Sequence, residues 1–118
     1  MTAVSDSPQA VPEGLAIVVS ELGTTTMISL AGEWDLAQQP ATRDTIRRIV
    51  QRRPEAVVLD LSRLSFIDSS GLHVVIELHK RAQQENIRLV IVPGPRGVQR
   101  LFDICHLLEV LPFVGSTA

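Results

Sequence analysis

The chain predicts an α/β fold, one domain in which a mixed β-sheet has helices packed against it. Three observations lead there. Two strand-like runs separated by a tight turn open the domain, strand-like and helix-like segments then alternate strictly, and the later strand-like runs are continuously apolar. A length of 118 residues suits a single core, one able to bury roughly two-thirds of the unfolded chain's surface. A hairpin followed by such alternation implies parallel crossovers, whose right-handed connections lay the helices against the sheet.

Leu15 to Glu21 is rich in aliphatic and β-branched residues, Leu22-Gly23-Thr24 turns, and Thr26 to Leu30 returns as a second strand, an antiparallel hairpin. Ala31-Gly32-Glu33-Trp34-Asp35 leaves that strand, and Pro40 introduces a helix over about 41–53 with Ile46, Ile49 and Val50 on one face. Pro54 stops it. Ala56 to Leu61 reads as an interior strand, being too continuously apolar for a strand with one wet face. Leu64 to Gly71 then runs into a helix over 70–84, with Leu72, Val75, Ile76 and Leu78 on its buried side. Arg88 to Val92 reads as another interior strand, and Pro93-Gly94-Pro95 turns. Val98, Leu101, Phe102 and Cys105 mark the buried stripe of a third helix at i, i+3, i+4 and i+7 spacing. A last short strand is expected near 108–113. Residues 1–13 read as a flexible lead-in and 14–115 as the domain.

Composition narrows the function classes. With 11 basic and 13 acidic residues the net charge is -2, which offers no global attraction to nucleic acid or to an anionic membrane. No apolar run approaches the roughly 20 residues of a membrane span, and Met1 to Gly14 lacks the basic start and apolar stretch of a secretory signal. The single Cys105 has no internal disulfide partner, which fits a reducing cytoplasm. His73 and His79 lie about 240° apart round a helix and cannot share a metal. Ser69 and His73 lack the Gly-x-Ser-x-Gly elbow of a hydrolase, and no phosphate-cradling glycine loop is present. No catalytic residue, metal or cofactor is assigned. Arg43, Arg47, Arg48, Arg52 and Arg53 have no interleaved exposed aromatics of a nucleic-acid surface, and read as a solvated face.

In an α/β sheet the loops leaving the carboxyl ends of strands face helix N-termini, which singles out Asp68-Ser69-Ser70-Gly71. The plain reading is a helix cap, with Asp68 or Ser69 accepting from first-turn N–H groups. The sharper one is that Ser69 or Ser70 carries a regulatory phosphate. The positive helix end would tolerate such a group, whereas a docked interface would have to desolvate it. His73, Glu77, Lys80, Arg81 and Gln84 form one polar stripe beginning beside the serines, either a recognition face or ordinary solvated surface with a Glu77–Arg81 pair.

Val57-Val58-Leu59-Asp60-Leu61 and Leu64-Ser65-Phe66-Ile67-Asp68-Ser69-Ser70-Gly71-Leu72 closely resemble the centre of STAS domains, in particular bacterial anti-sigma-factor antagonists. Gly32-Glu33-Trp34-Asp35 resembles that family's Gly-Glu-x-Asp segment, and Val98 to Phe102 with His106-Leu107 resembles its penultimate helix and exit. The likeness covers nearly the whole chain. It implies a partner switch: the unphosphorylated antagonist binds a serine-kinase anti-sigma factor and frees a sigma factor, phosphorylation releases it, and a phosphatase resets it. Ser69 matches the phosphoacceptor. Asp35 and Asp68 match positions near the kinase-binding surface, and Glu33, Ser70, Gly71, His73 and Glu77 complete the expected partner-binding set, with Gly71 allowing close approach of the partner backbone. Two departures stand out, His73 where family members often carry glycine, and His106 where a helix-ending glycine is common. A different role compatible with the same family is a fixed structural or regulatory subunit of a transporter or stress-signalling assembly.

Overall fold

The computed structural model describes residues 14–115; the lead-in expected over 1–13 lies outside the described residues. Four strands form one mixed sheet in the order β1 (Leu15–Leu22), β2 (Thr25–Trp34), β3 (Ala56–Ile67) and β4 (Arg88–Val92). The first pair is antiparallel, joined by the turn at Gly23, whose φ of 62° a glycine adopts without strain. The β2–β3 and β3–β4 pairs are parallel. Helix α1 (Gln39–Gln51) connects β2 to β3, α2 (Ser69–Glu85) connects β3 to β4, and α3 (Arg96–Ile104) follows β4.

Each crossover moves the chain one strand further in the same direction, so right-handed connections put successive helices on the same side of the sheet. The core has that arrangement. Ile28 and Leu30 of β2, Val57, Leu59 and Leu61 of β3, and Leu89 and Ile91 of β4 alternate inward and join one buried cluster with Ile46, Ile49 and Val50 of α1, Leu72, Val75 and Leu78 of α2, and Val98 and Phe102 of α3. Residues of the opposite parity on the parallel strands, Val58 and Val90 among them, are outside that cluster and half-exposed. The expectation that β3 and β4 are dry on both faces is therefore met on one face only.

Several boundaries differ from the sequence reading, each for a tertiary reason. β2 continues to Trp34 and β3 to Ile67, because pairing resumes beyond register shifts between Ser29 and Ala31 and between Gly32 and Glu33. Asp60 accepts from the Ser62 N–H at 2.9 Å within the first irregularity, and such bulges extend a strand past the point where alternation breaks. Helix α1 starts at Gln39 with Pro40 in its first turn and stops before Arg53, whose φ is 55°; the residue preceding a proline is disfavoured in a helix. Among the described residues β4 is an edge strand, not an interior one. Its outer neighbour is reduced to a single parallel bridge, Ile91 with Phe113, instead of the short strand expected near 108–113. On α2, Val74 is buried and Ile76 only half-buried. Cys105 is exposed, because α3 ends at Ile104 and Cys105 is its cap rather than part of its buried stripe. His106 does adopt the left-handed conformation, with φ 60°.

Candidate functional site

Trp34 and Ile67 are register partners at the carboxyl ends of adjacent parallel strands, so the next residues, Asp35 and Asp68, emerge side by side. Each is extended and each caps the turn that follows it. Asp35 Oδ1 accepts from the Ala37 N–H at 3.1 Å, opening the 3-10 turn Leu36–Gln38 that leads into α1. Asp68 Oδ1 accepts from Ser70 N–H at 2.8 Å and Gly71 N–H at 3.3 Å, opening α2. Asp68, rather than Ser69, is thus the cap, which releases the serine from any structural duty in the turn.

Ser69 is the first helical residue and exposed, and its hydroxyl makes no hydrogen bond among the described residues. Ser70 is half-buried, with its carbonyl accepting from Gln39 Nε2 at 3.4 Å. Of the expected partner-binding residues, Glu33 and His73 are exposed, and Asp35 and Asp68 half-buried. Exposed Leu36 and Phe66 add apolar surface to this same end of the sheet. An exposed, unbonded hydroxyl at the start of a helix capped by Asp68, with Asp35 at the neighbouring strand end, is open to an external phosphoryl donor.

Trp34, which is fully buried, ties these strand and helix ends together. Its backbone carbonyl accepts from Asp68 N–H at 3.2 Å. Its indole N–H donates to Thr42 Oγ1 at 3.2 Å, and that hydroxyl lies 3.0 Å from the Gln38 carbonyl and can donate to it. The ring also lies beneath Gly71: a Cβ there would come within 2.8 Å of Ile67 Cγ1 and 3.0 Å of the indole. Gly71 thus has a packing role inside the domain that the sequence reading did not foresee. The missing side chain serves contact with Trp34 and Ile67 inside the domain, and the glycine is buried. Trp34, Thr42 and Gln39 were not singled out as site residues from the sequence. The one signal was the chain's single tryptophan directly before Asp35.

Glu77 does not pair with Arg81. It forms a two-pronged interaction with Arg43 of α1, both contacts at 2.8 Å, because the helices lie side by side and the guanidinium fork matches a carboxylate. That hydrogen bond holds the Glu77 carboxyl below the ordinary glutamate value, against a smaller opposing effect of burial. The other arginines on and just after α1 make exposed pairs: Arg47 and Arg48 with Asp44, Arg52 with Glu21, and Arg53 with Glu85. Among the described residues no group of acidic, histidine and cysteine side chains could hold a metal ion, and no helix is long and apolar enough to cross a membrane.

A family model described as STAS domain matches residues 16–118. The chain belongs to the STAS domain family. A relative named Anti-sigma F factor antagonist, from Paenibacillus polymyxa, is 32% identical over 91 residues, which is 76% of this chain and 78% of that one. Among solved structures, the STAS domain described here resembles an anti-sigma factor antagonist from Mycobacterium paratuberculosis, with a TM-score of 0.80 and 24% identity over 90% of each chain. It also resembles the anti-sigma factor antagonist SpoIIAA in its unphosphorylated form, with a TM-score of 0.73 and 21% identity, covering 86% of this chain and 90% of that chain. Both structures establish the same fold. A segment of a plant protein named Low affinity sulfate transporter 3, from Stylosanthes hamata, is 31% identical over 63% of this chain but amounts to only 11% of the transporter.

Proposed function

We propose that this STAS domain is an anti-sigma-factor antagonist that works by partner switching, with Ser69 as its phosphoacceptor. Unphosphorylated, it binds a serine-kinase anti-sigma factor through the edge formed by Glu33, Asp35, Asp68, Ser69, Ser70, His73 and Glu77, and a sigma factor is freed. The observation that carries this reading is the solvent-facing, unbonded hydroxyl of Ser69 at the first position of a helix whose cap is already supplied by Asp68. Relatives named as anti-sigma antagonists support it, the first of them aligned over most of both chains.

The chemistry asks little of the chain itself. Ser69 Oγ attacks the γ-phosphorus of ATP held by the kinase, ADP leaves, and the hydroxyl proton passes to a base of the kinase. A phosphatase resets the switch by adding water across the ester, giving serine and inorganic phosphate. The domain is a protein substrate, needs no cofactor of its own, and acts in the cytoplasm, where ATP and a free thiol at Cys105 are at home. It contacts neither nucleic acid nor membrane directly.

The phosphate brings close to two negative charges at neutral pH. The nearby positive helix end is already engaged by Asp68, and Asp35 stands alongside, so the edge becomes strongly acidic. Burying such a charge against a partner costs several kcal/mol, and each ~1.4 kcal/mol is tenfold in affinity.

The test compares the wild type with Ser69→Ala, Ser70→Ala and Ser69→Asp, by intact mass after purification from the native host and by affinity for the captured kinase. A phosphate lost only with Ser69→Ala, and weaker binding by Ser69→Asp, are expected. Labelling that survives Ser69→Ala moves the site to Ser70. Equal binding by all variants would instead fit a fixed assembly subunit.

A further inference from the structure

The sheet has one helix-covered face and one that no described helix covers, yet β3 and β4 are apolar on both. Met27, Val58 and Val90 are register neighbours across three strands and form the middle row of the uncovered face. None belongs to the core or to the side chains packed against it, and all three are half-exposed. Strands that read as near-continuous apolar runs are ordinarily dry on both sides. At the antiparallel margin, Val18 is 41% and Leu22 72% exposed on this same face.

Charge on β3 and β4 singles out an occupant. One residue pair beyond the middle row stand Asp60 and Val92, and one pair before it Ala56 and Arg88. Asp60 and Arg88 are the only charged residues in these rows, of opposite sign and on opposite sides of the apolar centre. Asp60 uses one oxygen for the Ser62 N–H, and Arg88 makes no ion pair among the described residues.

We infer that this face binds the same face of a second copy of the chain. A two-fold axis lying in the interface and running across the strands through the middle row stacks valine on valine. It places Asp60 of one copy over Ala56 of the other, beside that copy's Arg88, and symmetry repeats the pair. The offset is one strand spacing of about 4.8 Å across a gap of about 10 Å, which an arginine and an aspartate reaching toward each other can close. The contact is self-complementary, as a closed two-fold dimer requires. It leaves the carboxyl ends of the parallel strands free and directs the two Ser69 edges in opposite directions, so each copy can still meet its own partner.

Sedimentation velocity of the 118-residue chain, under reducing conditions so that exposed Cys105 cannot cross-link, tests this across micromolar to millimolar concentration. A concentration-dependent dimer is expected. Asp60→Arg or Arg88→Asp alone should weaken it by about tenfold or more, since each sets like charges against each other. The double variant should restore most of the loss, with circular dichroism confirming that all three variants are folded. A monomer at every concentration overturns the inference. So does a dimer that neither single change weakens or that the double change does not rescue.

Discussion

Replacing Gly71 by alanine adds one methyl group where the structure leaves no room for it. The new Cβ would lie 2.8 Å from Ile67 Cγ1 and 3.0 Å from two indole carbons of Trp34, whereas unstrained carbons sit about 3.5–4.0 Å apart. The indole cannot simply retreat, being fully buried and tied to Thr42 through its N–H at 3.2 Å. Overpacking of this kind costs ~1–3 kcal/mol, and the better helix propensity of alanine returns at most ~1 kcal/mol, less in a first turn. The expected net loss is ~1–2 kcal/mol, which with a urea slope of ~1–3 kcal/mol per molar lowers the unfolding midpoint by somewhere near 1 M. Trp34 is the only tryptophan, so its emission follows unfolding and reports on the altered contact itself. A Gly71→Ala protein as stable as wild type or more so, with unchanged native emission, would refute the close packing of Gly71 on Trp34 and return the glycine to a partner-facing role.

Thr42→Val keeps the side-chain shape but leaves the buried indole N–H without its acceptor, and should cost ~1–3 kcal/mol in the same urea titration. His106→Gly removes a side chain from a left-handed residue with φ 60°, and should raise stability by up to ~1 kcal/mol, visible as a melting temperature a few degrees higher. Glu77→Gln tests the bridge between α1 and α2. The native carboxyl titrates below the ordinary value of 4.5 because of its hydrogen bond to Arg43, so its contribution is present above that value and lost as pH falls through the lowered one. Stability measured against pH should therefore fall less steeply for Glu77→Gln in that acidic window, and the difference should be small because both side chains are about half exposed.

Local pattern was enough to find the hairpin, the alternation of strands and helices, and the turn from β3 into α2, because hydrophobic period and turn residues act over a few positions. It also isolated the Ser69-Ser70 pair, since serines beside a helix start are legible without knowing the fold, and the resemblance to STAS domains chose between them. The ends of β2 and β3 were not legible, because both continue through irregularities held by pairing with residues far away in sequence. The same limit applied to Glu77. A nearby Arg81 offered a local partner, but helix packing supplied Arg43 with better geometry.

The sequence by itself therefore determined the class of fold, the order of its elements and the helix start that carries Ser69. Tertiary structure alone decided what holds that serine in place. Trp34, Thr42 and Gly71 meet only when a strand end, the start of α1 and the start of α2 converge, and no periodicity encodes a contact among three separate elements. It also decided that one face of the sheet carries all the described helices, since that follows from the direction in which successive strands are added.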